Sequence, residues 1–327
     1  MNGWLCDNPI GVDNLSWKPL TLAEPGPGEV RVRIRAASLN FPDLLTVQNK
    51  YQIKPPLPFV PGAEFSGVVE ALGPECPPHL KVGSAVATIG ASGGFATHAN
   101  VQAALCMPLP PGFAIEDGAA FAFTYGTTHH ALMDRAALQP GETVLVLGAA
   151  GGVGTSAIQI AKAAGARVIA AASTAAKCDF CRSLGADDTL DYSQGDIREQ
   201  LKALTQGKGP DVVYDPVGGA LAEPVFRSIA WRGRYLVIGF TGGTIPALPW
   251  NLALLKGASV VGVFWGDFVR REPKAFQAAL KQLFGWYAQG LIKPVIDTRL
   301  PMSALKQAYA RMGAREVRGK ILMVNED

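Results

Sequence analysis

The chain has 327 residues, a length that accommodates about two domains with sizeable cores. Its 30 Lys and Arg against 27 Asp and Glu leave a formal charge of +3, and no cluster of basic residues appears, so neither nucleic acid nor an acidic membrane surface is favoured as a partner. The opening residues, MNGWLCD, lack the basic segment and apolar core of a secretory signal.

From residue 21 to 115 short β-rich runs dominate, at 29–36, 65–71, 84–89 and 95–100. Pro and Gly clusters separate them, which predicts a small irregular β domain with no helix longer than a turn or two. Near Asp117 the texture changes to a helical stretch, 118–137. Apolar strands at 144–147, 168–172, 189–192, 212–214, 235–239 and 260–264 then alternate with helical patterns such as 155–164 and 177–184. That alternation is the grammar of a parallel, doubly wound sheet. Beyond Trp265 come a helix near 273–289, an extended piece at 295–300, a helix at 303–312 and a strand at 320–324 expected to rejoin the β domain. The expected domains are residues 1–118 (the β domain), 119–268 (the alternating domain) and 269–327 (a segment bridging back to the first).

Segment 143–161 carries no charge and is long enough to span a bilayer, but its four glycines and strand-turn-helix pattern read as a buried sheet core. The five cysteines, Cys6, Cys76, Cys106, Cys178 and Cys181, are an odd set without a disulfide framework and fit a reducing cytoplasm. Cys178 and Cys181 have redox or half-zinc-site spacing. No second pair completes them, so they read as ordinary helix residues.

The most specific local signal is the run VLVLGAAGGVG at 144–154. Gly151 and Gly152 let the backbone approach a pyrophosphate, Gly154 lets the next helix pack tightly on the strand, and the helix N-terminus offers N–H donors to the anion. Ala149 replaces the first glycine of the usual fingerprint. Where an NAD-binding fold places Asp or Glu against the ribose, after the strand at 168–172, this chain has Ser173 and Thr174, with Lys177 four residues beyond Ser173. Hydroxyls plus an ammonium, without a carboxylate, point to NADPH over NADH. The alternative for Lys177 is a solvated helix lysine.

The order of domains, with SLNFPD (38–43), PGAEFSG (61–67), GTTHHA (126–131), GAAGGVG (148–154), SLGAD (183–187) and Gly319-Lys320, resembles the medium-chain dehydrogenase/reductase superfamily over nearly the whole chain. The closest resemblance within it is to the zinc-independent, zeta-crystallin-like quinone oxidoreductases. It implies an α/β fold: a GroES-like β domain plus a Rossmann domain with a doubly wound parallel sheet. Where zinc alcohol dehydrogenases carry a ligand Cys, this chain has Asn40; their Gly-His-Glu becomes Gly62-Ala63-Glu64, and the four-cysteine lobe is missing. No metal is expected.

Without a Lewis acid, the substrate oxygen must be stabilised by hydrogen-bond donors and the acceptor held against the nicotinamide. Asn40 offers an amide, and Tyr51 a phenol and an aromatic face, with the proline-rich passage 54–61 fixing its loop. The resemblance places both by the nicotinamide; the alternatives are a turn-capping Asn and a half-buried surface Tyr. Asp43 reads more readily as a helix-start acid than a catalytic one. The resemblance also implies cofactor contacts at Thr127, at Gly151, Gly152, Val153 and Gly154, at Ser173, Lys177 and Tyr192 around the adenosine phosphate, and at Gly239, Phe240, Phe264 and Trp265 along the cleft. For Phe264 and Trp265 the alternative is sheet core. Arg318 is a further candidate for the ribose phosphate, or a solvated surface residue.

The expected activity is hydride transfer from NADPH to a quinone or an enone, and the resemblance implies a homodimer joined through edge strands near Val260. Enoyl-thioester reduction is the enzymatic alternative, and an NADPH-binding structural or RNA-associated role belongs to a different class.

Overall fold

The computed structural model describes residues 1–90 and 92–326. Strands β1 (Asn2–Cys6) and β2 (Leu15–Pro19) form an antiparallel pair in which Trp4 faces Trp17, their rings 5.9 Å apart. This pair has no counterpart among the predicted elements. The Trp4 indole donates to the carbonyl of Met302 at 2.8 Å, far along the chain.

β3 (Glu29–Ser38) alternates apolar and charged residues as VRVRIR, and its Val30, Val32 and Ile34 are buried while the intervening arginines are not. A short helix α1 (Phe41–Val47) follows, then β4 (Glu64–Leu72), β5 (Ala85–Ile89), β6 (His98–Gln102) and β7 (Cys106–Pro108). The predicted helix at 118–137 is instead three pieces: α2 (Ile115–Gly118), α3 (Ala122–His129) and a π-helical turn, His130–Arg135. Ala119 and Ala120 lie between α2 and α3, buried with Ala36 and Leu322 in a cluster that breaks the helix.

The next segment alternates as predicted: β8 (Thr143–Val146), α4 (Gly152–Ala163), β9 (Arg167–Ala172), α5 (Ala175–Ser183), β10 (Asp188–Asp191), α6 (Ile197–Leu204), β11 (Val212–Asp215), α7 (Ala222–Ser228), β12 (Arg234–Val237), α8 (Asn251–Lys256) and β13 (Ser259–Gly262). All six strands are parallel, in the order β10-β9-β8-β11-β12-β13. That is the doubly wound dinucleotide-binding order, with its switch point between β8 and β11. Helices α9 (Trp265–Arg271) and α10 (Pro273–Ala288) follow. Finally β14 (Ile296–Pro301), α11 (Leu305–Gly313) and β15 (Lys320–Val324) complete the other sheet, ordered β14-β15-β3-β4-β5-β7, with β6 also paired to β3.

The chain divides into two units, Met1–Phe123 with the segment from Pro294 on, and Thr124–Lys293. The predicted boundaries at 118/119 and 268/269 therefore shift. Residues up to 123 stay with the first unit, since Phe123 N–H donates to Glu64 there at 2.8 Å. Residues 269–293 belong to the second, because Phe276 packs edge-on against Trp265, and Gln282 meets His129 at 2.6 Å. Tyr125 donates its hydroxyl to the Lys293 carbonyl at 2.6 Å and to Gln159, whose amide oxygen also accepts from Lys293 N–H.

The uncharged segment 143–161 is β8, its turn and most of α4; among the described residues no helix is long and apolar enough to cross a membrane. Cys178 and Cys181 are buried in α5 and unbridged.

Candidate functional site

In the second unit, the chain leaves β8 and turns sharply through 147–151 into α4. Gly148 takes a φ of +57°, and Ala149 N–H donates to Ala171 at 3.0 Å, tying the turn to β9. A Cβ on Gly154 would stand 2.5 Å from the Gly148 carbonyl oxygen and 2.6 Å from two backbone atoms of Ala149. Only glycine lets α4 begin this close to the turn. Ala149, in place of the first fingerprint glycine, is fully buried. Gly152, Val153 and Gly154 open α4, where helix geometry leaves the first N–H groups without intrahelical acceptors, an arrangement suited to an anion.

Ser173 follows β9 and Tyr192 follows β10, and these strands run side by side with Ala172 opposite Asp191. Tyr192 N–H donates to the Ala172 carbonyl at 3.0 Å, so the two residues leave neighbouring strand ends. Lys177 lies in the first turn of α5, capped by Thr174, whose hydroxyl accepts from Lys177 N–H. All three side chains are partly exposed. Asp191, at the end of β10, turns its carboxylate to Ser193, accepting from its N–H at 2.9 Å and hydroxyl at 2.7 Å.

Gly239 and Phe240 lie just beyond β12, at the strand ends where open α/β sheets bind ligands; Phe240 packs against Gly218 in the turn after β11. Thr127 is buried in α3. Predicted strand 260–264 ends instead at Gly262, so neither Phe264 nor Trp265 is sheet core. Phe264 is exposed, whereas Trp265 is buried at the start of α9, where a Cβ on Gly126 would meet its indole at 2.7 Å. The histidines pack: His130 stacks on Phe268 with ring centres 4.0 Å apart.

In the first unit, Asn40 precedes α1 and is buried, with both ends of its amide engaged. Its Oδ1 accepts from Lys320 Nζ at 2.6 Å, and its Nδ2 donates to Glu64 at 3.2 Å. Glu64 also accepts from the Ser38 hydroxyl at 2.7 Å and lies 3.7 Å from Lys320 Nζ. Asp43 takes the helix-start role: Oδ2 accepts from Asn40 N–H at 2.8 Å, and Oδ1 from Ala63 N–H at 3.0 Å. Burial pushes the Asp43 carboxyl up to about 7, against the pull of the Asn40 N–H and Lys320. Burial lowers Lys320, opposed by Glu64 and Asp43.

Tyr51 is half-buried in the bend after α1; burial and then the Asp43 charge raise its phenol, which keeps it a donor at neutral pH. The proline-rich passage is pinned at Phe59, which exchanges backbone hydrogen bonds with Cys6 of β1 at 2.9 and 3.1 Å. Arg318 is exposed and belongs to this unit, two residues before Lys320. Lys320 and Glu64 had no assigned role in the sequence reading. The available signal was a lysine heading the apolar run ILMV, a charge placed where a strand enters a core.

The doubly wound sheet with its glycine turn defines a dinucleotide-binding class of protein. Residues 26–111 match the family described as alcohol dehydrogenase GroES-like domain, and residues 152–284 the one described as zinc-binding dehydrogenase. The chain is 36% identical over 312 residues to quinone oxidoreductase-like protein 2 of Rattus norvegicus, covering 94% of this chain and 89% of that one. It is similar to the crystal structure of Pseudomonas syringae quinone oxidoreductase, at 30% identity and TM-score 0.91, with 99% of each chain covered. It is also similar to mycobacterial Rv1454c, whose structure is complexed with NADPH, at 28% identity and TM-score 0.92 over 99% of this chain and 100% of that one. The chain belongs to the medium-chain dehydrogenase/reductase family, an oxidoreductase family, in its quinone oxidoreductase-like branch.

The zinc in one family description does not suit these residues. Among the described residues no group of three or more His, Cys, Asp or Glu side chains could hold a metal ion. Around Asn40 and Ala63 the donors are two carboxylates that already accept hydrogen bonds, and the Lys320 ammonium sits among them.

Proposed function

We propose that the protein is an NADPH-dependent reductase that passes hydride to a quinone or an α,β-unsaturated carbonyl without a metal. The observation that carries this reading is the placement of Ser173 and Tyr192 at adjacent strand ends and of Lys177 in the first turn of the helix between those strands, two hydroxyls and a cation beside a glycine turn shaped for a pyrophosphate. The bound cofactor supplies the hydride. The N–H groups opening α4 hold its pyrophosphate, and Ser173, Lys177 and Tyr192 hold the 2′-phosphate. Thr127, Gly239, Phe240, Phe264, Trp265 and Arg318 complete the proposed cofactor contacts.

Tyr51 donates the hydrogen bond to the substrate oxygen as negative charge develops there. A donor of this kind contributes about 2.7–4 kcal/mol to the transition state. Asn40, with its amide committed internally, orders the turn that leads to Tyr51. The enzyme works as a homodimer in a reducing cytoplasm, its subunits joined along β13, which ends the six-stranded sheet and exposes Val260.

The test is NADPH oxidation with 9,10-phenanthrenequinone, 1,4-benzoquinone and an enone. Consumption with at least one supports the reading, and silence with all three despite NADPH binding refutes it.

A further inference from the structure

The buried charges of the first unit converge on one short stretch of backbone. Asp43 spans two N–H groups, those of Asn40 and Ala63, joining the start of α1 to the segment leading into β4. Lys320 reaches the same place from β15, donating to the Leu39 carbonyl at 3.1 Å and to Asn40 Oδ1. With Oδ1 held by the ammonium, the amide nitrogen of Asn40 is left to Glu64 and Ser38, which fixes its rotamer. Three segments distant in sequence thus meet at the root of the loop that ends in Tyr51. Burying an ammonium and two carboxylates is costly unless each is hydrogen-bonded, and here each is.

We infer that Asp43 and Lys320 are positioning residues, an internal anchor that sets the 40–51 loop so that the Tyr51 phenol is held for the substrate. The inference rests on the reading of Tyr51 given above. Neither residue touches substrate; both act through the backbone of residues 39–40 and 63. The charge of Asp43 acts on Lys320, Glu64, Tyr51 and Tyr309, so its ionisation is read by all four. Both of its oxygens accept from N–H groups, and a proton on either takes up a lone pair and removes the negative charge that strengthens these bonds. With burial holding the carboxyl near 7, the anchor loosens as pH falls through neutrality.

The experiment compares the wild type with Asp43→Asn, Lys320→Met, Tyr51→Phe and the Asp43→Asn/Tyr51→Phe double variant. The amide of Asp43→Asn turns an NH2 toward one of the two backbone donors. Expected is a kcat loss of about 10–100-fold for Asp43→Asn, the scale of a misplaced catalytic group, with NADPH affinity by fluorescence titration unchanged. In the Tyr51→Phe background the same substitution adds little further loss, because the group it positions is gone. Wild-type kcat falls below pH about 7, and that fall is absent from Asp43→Asn.

Full additivity of the two substitutions, or a wild-type profile flat between pH 6 and 8, overturns the inference. If Lys320→Met does not fold, Asp43→Asn and the wild-type profile decide. Hydrogen exchange of residues 40–51 needs no turnover: faster exchange there in Asp43→Asn, with β3 unchanged, supports the anchor even if no quinone or enone is reduced, and unchanged exchange removes it.

Discussion

Gly154 lies so near Gly148 that a side chain at 154 would begin 2.5 Å from the carbonyl oxygen of 148. The obstruction is backbone, which cannot rotate aside. Gly154→Ala forces the start of α4 away from the turn, with an overpacking cost of about 1–3 kcal/mol. NADPH affinity falls and the thermal midpoint drops. Unaltered affinity in the folded variant would show that the turn does not hold the pyrophosphate.

Lys177 offers the ammonium of the proposed 2′-phosphate site, from the first turn of α5. Losing a charge-assisted hydrogen bond costs about 1.5–3 kcal/mol, so Lys177→Glu weakens NADPH roughly 10–100-fold. NADH binding changes much less. Titration of both coenzymes checks this, and an equal loss for the two rules out the phosphate assignment.

Tyr51→Phe removes a hydroxyl and keeps the ring. With saturating substrate, kcat drops by about 10²-fold if the phenol donates to the developing charge. Steady-state turnover of 9,10-phenanthrenequinone measures it, and unchanged kcat reduces Tyr51 to packing.

Glu142 joins the start of β8 to β12 through two bonds from Arg234, at 2.8 and 2.6 Å. Burial raises its carboxyl, but the hydrogen bonds from Arg234 and Gln139 N–H carry it below its ordinary value of 4.5. A depressed folded-state value means stability that is present above pH 4.5 and disappears as pH falls through that lower value. Glu142→Gln lowers unfolding free energy by about 1–2 kcal/mol at pH 7, with the difference shrinking in acid. Urea unfolding at pH 7 and pH 3 distinguishes this from an ion pair of no consequence, which gives no difference at either.

β13 ends the six-stranded sheet and leaves Val260 39% exposed on it. Val260→Lys places a charge on that edge. Sedimentation equilibrium then gives half the wild-type mass. A wild type that is already monomeric contradicts the dimer outright.

What was legible in the chain was what local chemistry encodes. VRVRIR shows its period of two without any tertiary knowledge, and the run at 144–154 announces a strand, a tight turn and a helix by its glycines. The Trp4–Trp17 pair was not legible, because the hairpin lacks a tight turn signal and is held partly by Met302. Nor was the break in the helix predicted at 118–137, where Ala119 and Ala120 are buried with Ala36 and Leu322 between α2 and α3. The anchor around Asn40 joins positions up to 281 residues apart, and no periodicity reports a partner at that distance. Read singly, Lys320 was only the head of a strand.

β15 lies between β14 and the second half of β3, so the larger sheet of the first unit is assembled from segments separated by the entire second unit. On the ribosome, residues 124–293 emerge as one uninterrupted stretch and are free to fold while that sheet still lacks two strands. Until residue 320 is synthesised, Glu64 lacks the Lys320 ammonium and β3 keeps an open flank. The nascent chain therefore passes through a stage in which its coenzyme fold is ready and its first unit is still exposed to chaperones and to aggregation.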